Sequence, residues 1–165
     1  MLSWAAHLDD DPMLPAAAID ALRRIAGAGE QPVAQRAAVN ALRELAAEGM
    51  QRREAIAAIA RLPEDLVPEV ASGLSAMRVA TRIATADALA AMRHPRASGE
   101  LARALRDEDA TVRAAAVNGF ARLGTPSVAR TIAAMRHHDP DSDVRRRAGL
   151  ACARHGWGNG PVARP

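Results

Sequence analysis

Residues 105–124 read LRDEDATVRAAAVNGFARLG. An acidic cluster, Asp107-Glu108-Asp109, leads into an alanine-rich run with Val112, Ala116, Phe120 and Leu123 on one side. Apolar side chains at steps of three and four stack along one helix face, so the run is a helix behind an acidic turn. The pattern returns 32 residues later as DPDSDVRRRAGLACARHG from Asp139. An Asp and an Arg stand six apart in both copies, Asp107 with Arg113 and Asp139 with Arg145. A repeat of this length holding two helices predicts an α-solenoid, in which each unit buries its apolar face on the next.

Outward from these copies, prolines mark the helix starts. Pro15, Pro32, Pro63, Pro95, Pro126 and Pro140 each precede or open an apolar-periodic run, where a missing N–H costs nothing. Thr125 is the expected N-cap of the run after it, and Gly49, Gly124 and Gly156 stand where helices should end. The chain divides into helices at about 15–27, 32–48, 50–61, 64–77, 79–93, 96–106, 109–123, 126–137 and 142–155. Pro68 should delay or kink the fourth. The expected class is all-α, a solenoid of eight or nine helices in antiparallel pairs. Its domain runs over 13–156, between a lead-in at 1–12 and an irregular tail at 157–165. The helix at 50–61 is left without a pair. Trp4, four residues from Leu8, is expected to cap the first layer.

Composition supports this class. Alanine is about a quarter of the chain, while Phe, Trp and Tyr together number three. Alanine is the best helix former and lets helices approach closely. All 22 basic residues are arginine, so every cation is a planar fork suited to carboxylate or phosphate. Residues 1–75 hold 11 acids and 7 Arg; residues 76–165 hold 8 acids and 15 Arg. That asymmetry favours an acidic partner on the C-terminal half. Cys152 is the single cysteine and lies in an apolar stretch, which fits a buried thiol in a reducing compartment. With no apolar run long enough to span a bilayer and no secretory signal pattern at the N-terminus, the expected location is the cytoplasm.

The motif D-x-D-x-x-V-R-x-x-A, as DEDATVRAAA (107–116) and nearly again as DPDSDVRRRA (139–148), resembles HEAT-repeat proteins. It is similar in particular to the short bacterial repeats of phycocyanobilin lyases. The unit at 76–92 keeps Arg82 but has Ala76 and Arg78 where the acids should stand. The resemblance implies a structural ladder of Asp107, Asp109, Arg113, Asp139, Asp141 and Arg145. In it Asp107 and Asp109 pair with Arg113 or with the Arg of the next unit, and Asp139 and Asp141 with Arg145. An acid at a helix N-terminus also meets the positive end of the dipole.

Sites for chemistry are few. Asp139, Asp141 and Asp143 imitate the start of a calcium loop, but its sixth and twelfth positions fall on Val144 and Leu150, so no metal is expected. His137 and His138 are adjacent and point about 100° apart. Cys152 and His155 share a helix face without an orienting third group. Phosphate loops are absent from the sequence. No enzymatic activity and no cofactor are expected. Aligned repeats place Arg36, Asn40, Arg43, Asp87, Asn118, Arg122, Arg146, Leu150 and Arg154 on one concave face that binds another protein, one with an acidic surface. The alternatives are nucleic-acid binding by the basic half, as in HEAT-like DNA glycosylases, and an accessory role in chromophore attachment, as in bilin lyases.

Overall fold

The computed structural model describes residues 13–28, 31–48 and 51–158. Trp4, Gly49 and residues 159–165 lie outside the described residues. Nine α-helices fill the described part: α1 (Met13–Gly27), α2 (Pro32–Glu48), α3 (Arg52–Ile59), α4 (Val67–Ala71), α5 (Val79–Met92), α6 (Pro95–Ala104), α7 (Ala110–Leu123), α8 (Ala129–His138) and α9 (Ser142–His155). No strand occurs among the described residues. The second helices α5, α7 and α9 stack side by side, with α2 against α5, and α4, α6 and α8 pair with their partners as a first-helix layer. The chain is therefore an all-α solenoid. One hydrophobic core runs along it from Ile19 to Trp157.

Several sequence expectations need correction. The fourth helix is not continuous over 64–77: it is a 3₁₀ turn at Glu64–Leu66, the short α4, and a second 3₁₀ turn at Ser72–Ser75. Pro68 confines α4 to a start at Val67, because it fits only the first turn. The eighth helix opens with a 3₁₀ turn at Pro126–Val128, and Thr125 makes no side-chain cap. The tail expected from 157 begins with an ordered residue. Trp157 is 7% exposed, stacks on His155, and donates its backbone N–H to Cys152 O. Helix ends at Gly124 and Gly156 do adopt positive φ, 67° and 68°. The same end of α5 is closed by Arg93 at φ 52°, a position with no glycine to signal it.

The acidic turns do two jobs with two carboxylates. Asp109 caps α7 by accepting from Thr111 N at 2.7 Å, and Asp141 caps α9 by accepting from Asp143 N and Val144 N at 2.8 and 3.0 Å. Asp107 and Asp139 face the other way, to the arginine of the preceding unit. Arg113 donates from Nε and Nη2 to the two Asp139 oxygens, both at 2.9 Å, and from Nη1 to the carbonyls of Asp107 and Glu108. Arg82 repeats this, with Asp107 at 3.0 and 3.1 Å and the carbonyls of Ala76 and Met77. Arg145 holds the carbonyls of Asp139 and Pro140 at 2.7 and 2.9 Å. The expected partners were thus displaced by one unit: Asp107 belongs to Arg82 and Asp139 to Arg113, while Arg145 clamps its own turn. The reason is reach. An arginine one turn into a helix covers the turn behind it and extends sideways to the next repeat.

The clamp is buried. Arg113 and Asp139 side chains are 10% and 4% exposed. Burial alone would raise the Asp139 pKa, but the Arg113 fork, the Asp141 N–H and the charges of Arg113 and Arg145 outweigh it and hold the carboxyl below its ordinary value. The Asp139 fork in turn holds the Arg113 guanidinium above its ordinary range.

Close helix approach is the second determinant. A Cβ on Gly119 of α7 would come within 2.9 Å of Ala90 Cβ and 3.1 Å of Leu101 Cδ2. A Cβ on Gly99 of α6 would meet nothing within 4 Å.

Four outcomes follow for stability. Arg113→Ala should cost about 3–5 kcal/mol in urea unfolding, because it leaves a buried carboxylate alone. Since the folded pKa of Asp139 lies below its unfolded value, its contribution is present above the ordinary carboxylate range and fades as pH falls through the folded value. Asp139→Asn should therefore flatten the acid limb of the stability–pH curve. Gly119→Ala should lower the thermal midpoint through overpacking, whereas Gly99→Ala should raise stability by up to about 1 kcal/mol.

Candidate functional site

The residues expected on one shared face separate into two groups. Positions one repeat apart on α5, α7 and α9 form a wall in three rows: Ile83, Ala114 and Arg146; Asp87, Asn118 and Leu150; Ala91, Arg122 and Arg154. Leu150 is 61% exposed, an uncovered large apolar side chain beside exposed Arg146 and Arg154. Arg146 is held by Asp143, which also accepts from Arg147 Nε at 2.6 Å.

Asp87 is already engaged. Its carboxylate accepts from Arg52 of α3 at 2.6 Å and from Arg122 of α7 at 3.4 Å. Arg52 also donates to Ala46 O at 3.1 Å, which ties the end of α2 to the same point. The unpaired helix of the sequence reading thus has a place: α3 packs on α1, α2 and α5, with Ala46, Ala55 and Ala84 in a small cluster between them. Nothing in the spacing of the repeats marked Arg52, since it belongs to no repeat position.

Arg36, Asn40 and Arg43 do not join the wall. Their contacts run toward α4, while Arg36 and Asn40 stay exposed. Arg36 Nε meets Glu69 at 2.9 Å. Arg43 donates from Nη1 to Glu69 O, Val70 O and Ser72 Oγ at 3.1, 3.3 and 2.7 Å, and from Nη2 to Asn40. Burial pulls the Arg43 pKa down, opposed by the charges of Glu44 and Glu69. Arg43 is therefore a fastener that takes the C-terminal carbonyls of α4. The aligned repeats hid this, because they match residue types and not orientation.

The candidate chemistry is absorbed by structure. Asp139, Asp141 and Asp143 serve Arg113, the α9 N-terminus and the Arg146–Arg147 pair respectively. No group of three His, Cys, Asp or Glu poised for a metal occurs among the described residues. His155 donates from Nε2 to Ala121 O at 2.8 Å and stacks on Trp157, so its ring joins α9 to the end of α7. Cys152 is 1% exposed, and burial pushes its thiol pKa up, against a smaller pull from Arg136. A thiol of that kind is a poor nucleophile. A thiol-reactive disulfide reagent should leave Cys152 unmodified in the native protein and titrate one thiol after denaturation; fast native reaction would contradict this assignment.

Among the described residues no helix is long and apolar enough to cross a membrane. A search of curated proteins finds no match. The family described as HEAT repeats matches residues 67–153, more than half of the chain. Those residues span α4 to α9, the part in which the arginine clamp recurs. By that match, and by paired helices stacked into a solenoid, the chain belongs to the HEAT-repeat family.

Proposed function

We propose that this protein is a non-enzymatic interaction module that binds another protein on the wall of α5, α7 and α9. HEAT repeats commonly serve as protein-interaction scaffolds. The observation that carries the choice of wall is Leu150, 61% exposed at the position where α7 has Asn118 and α5 has Asp87. An apolar contact ringed by forked cations suits a partner with an apolar anchor and an acidic rim. Asp87 is shared by Arg52 and Arg122, whereas exposed Arg154 has no carboxylate partner among the described residues, so the attractive end of the wall is α9, through Leu150 and Arg154. The buried single thiol fits work in a reducing compartment such as the cytoplasm.

Nucleic-acid binding is the second reading, favoured by the excess of arginine after residue 75. Stacking side chains do not support it: Phe120 is fully buried and Trp157 is 7% exposed.

The test is recovery of a partner from native lysate by the wild-type chain and by a Leu150→Asp, Arg154→Glu variant, with a duplex DNA titration at low and physiological salt alongside. The expected result is one or more partners lost by the variant, with weak or no DNA binding. Equal recovery by both chains removes the wall from the proposal, and tight, steeply salt-dependent DNA binding replaces it with the second reading.

A further inference from the structure

Most arginines of the second-helix layer have a carboxylate partner, while Arg93, Arg145 and Arg154 have none among the described residues. Arg82 and Arg113 fork onto Asp107 and Asp139, Arg122 faces Asp87, and Arg146 and Arg147 share Asp143. The first-helix layer differs. On α6 and its C-terminal end, Arg96 and Arg106 are exposed and have no carboxylate partner among the described residues, and Arg103 has one, Glu100. α8 contains Arg130 and Arg136, both exposed, and no acid. Uncompensated positive charge of the C-terminal half therefore lies on the first-helix layer as well as at the α9 end of the wall.

That layer also contains a groove. Between α6 and the start of α8 is a cleft of about 270 Å³, with Arg103, Arg106 and Thr131 at its rim. Its floor is Gly99, Ala102, Leu105 and Val128. Gly99 sits inside a helix, where glycine costs about 1 kcal/mol against alanine, and its missing Cβ leaves open space. The groove thus combines an apolar floor with a cationic edge.

We propose that this groove is a second docking surface, and that its occupant is an acidic polypeptide segment with an apolar side chain beside its carboxylates. A forked guanidinium at Arg106 takes the carboxylate, and the Ala102–Leu105–Val128 floor takes the apolar group. A phosphodiester strand supplies the charge but not the apolar group. Its bases would find no exposed Phe or Trp ring among the described residues, since Phe120 and Trp157 are both buried. The groove and the wall lie on opposite layers, so failure of one leaves the other standing.

The experiment is fluorescence anisotropy of the full chain against a labelled peptide of Glu-Glu-Leu repeats, with a single-stranded oligonucleotide of matched charge as competitor probe. Two variants test the site: Arg106→Glu reverses the rim charge, and Gly99→Leu fills the cleft while improving helix propensity. Thermal melts establish that both fold. The expected result is peptide binding that weakens about tenfold or more in each variant, about 1.4 kcal/mol or more. Absence of peptide binding at low salt overturns the proposal. So does wild-type affinity in either groove variant, or oligonucleotide binding as tight as the peptide's with the same loss in Arg106→Glu.

Discussion

A guanidinium that is asked to hold two backbone carbonyls with one edge and a carboxylate with the other has almost no freedom left. Arg82 and Arg113 are in that position. Each closes the turn before its own helix and fixes the turn of the next unit at a set distance and angle. The bond pattern repeats every 31 or 32 residues, so it sets the period of the stack as well as its cohesion. Burying a charge pair costs desolvation, and that cost is met here because Arg113 and Asp139 satisfy one another bidentately and also bind backbone groups. The Asp-x-Asp spacing is a consequence. One carboxylate must face backward to the arginine and the other forward to the helix it caps, and adjacent residues could not do both.

With register fixed at the turns, the helices can be built from small side chains. Along α7 every residue from Val112 to Val117 is buried, five of those six being Ala or Val without a long side chain to fit, and Gly119 lets α5 and α6 close in. Alanine packing gives little shape specificity by itself. The arginine clamps supply it, which is why a core with a single phenylalanine can still hold one arrangement.

The same economy decides where binding surfaces are left. Carboxylates are consumed by the ladder and its neighbours, so Arg82 and Arg113 are neutralised, while Arg154 of α9, Arg96 of α6, Arg106 after it, and Arg130 and Arg136 of α8 are left open. The wall offers one apolar side chain, Leu150, next to Arg154; the opposite layer offers a cleft with a charged rim.

The amino-acid order alone determined the class, the period, most helix bounds from α5 onward, and the caps at Gly124 and Gly156, because these rest on local rules of periodicity, capping and backbone handedness. It also marked the ladder residues, though not which unit each carboxylate serves, since sideways reach is a property of two stacked repeats. The orientation of α2 was illegible: Arg43 reads as a surface residue until α4 is placed against it. So was α3, whose Arg52 finds Asp87 across 35 residues of chain. Local patterns report what a helix can bury, but only packing decides which of its faces meets a neighbour, and with it which charges are answered and which remain open.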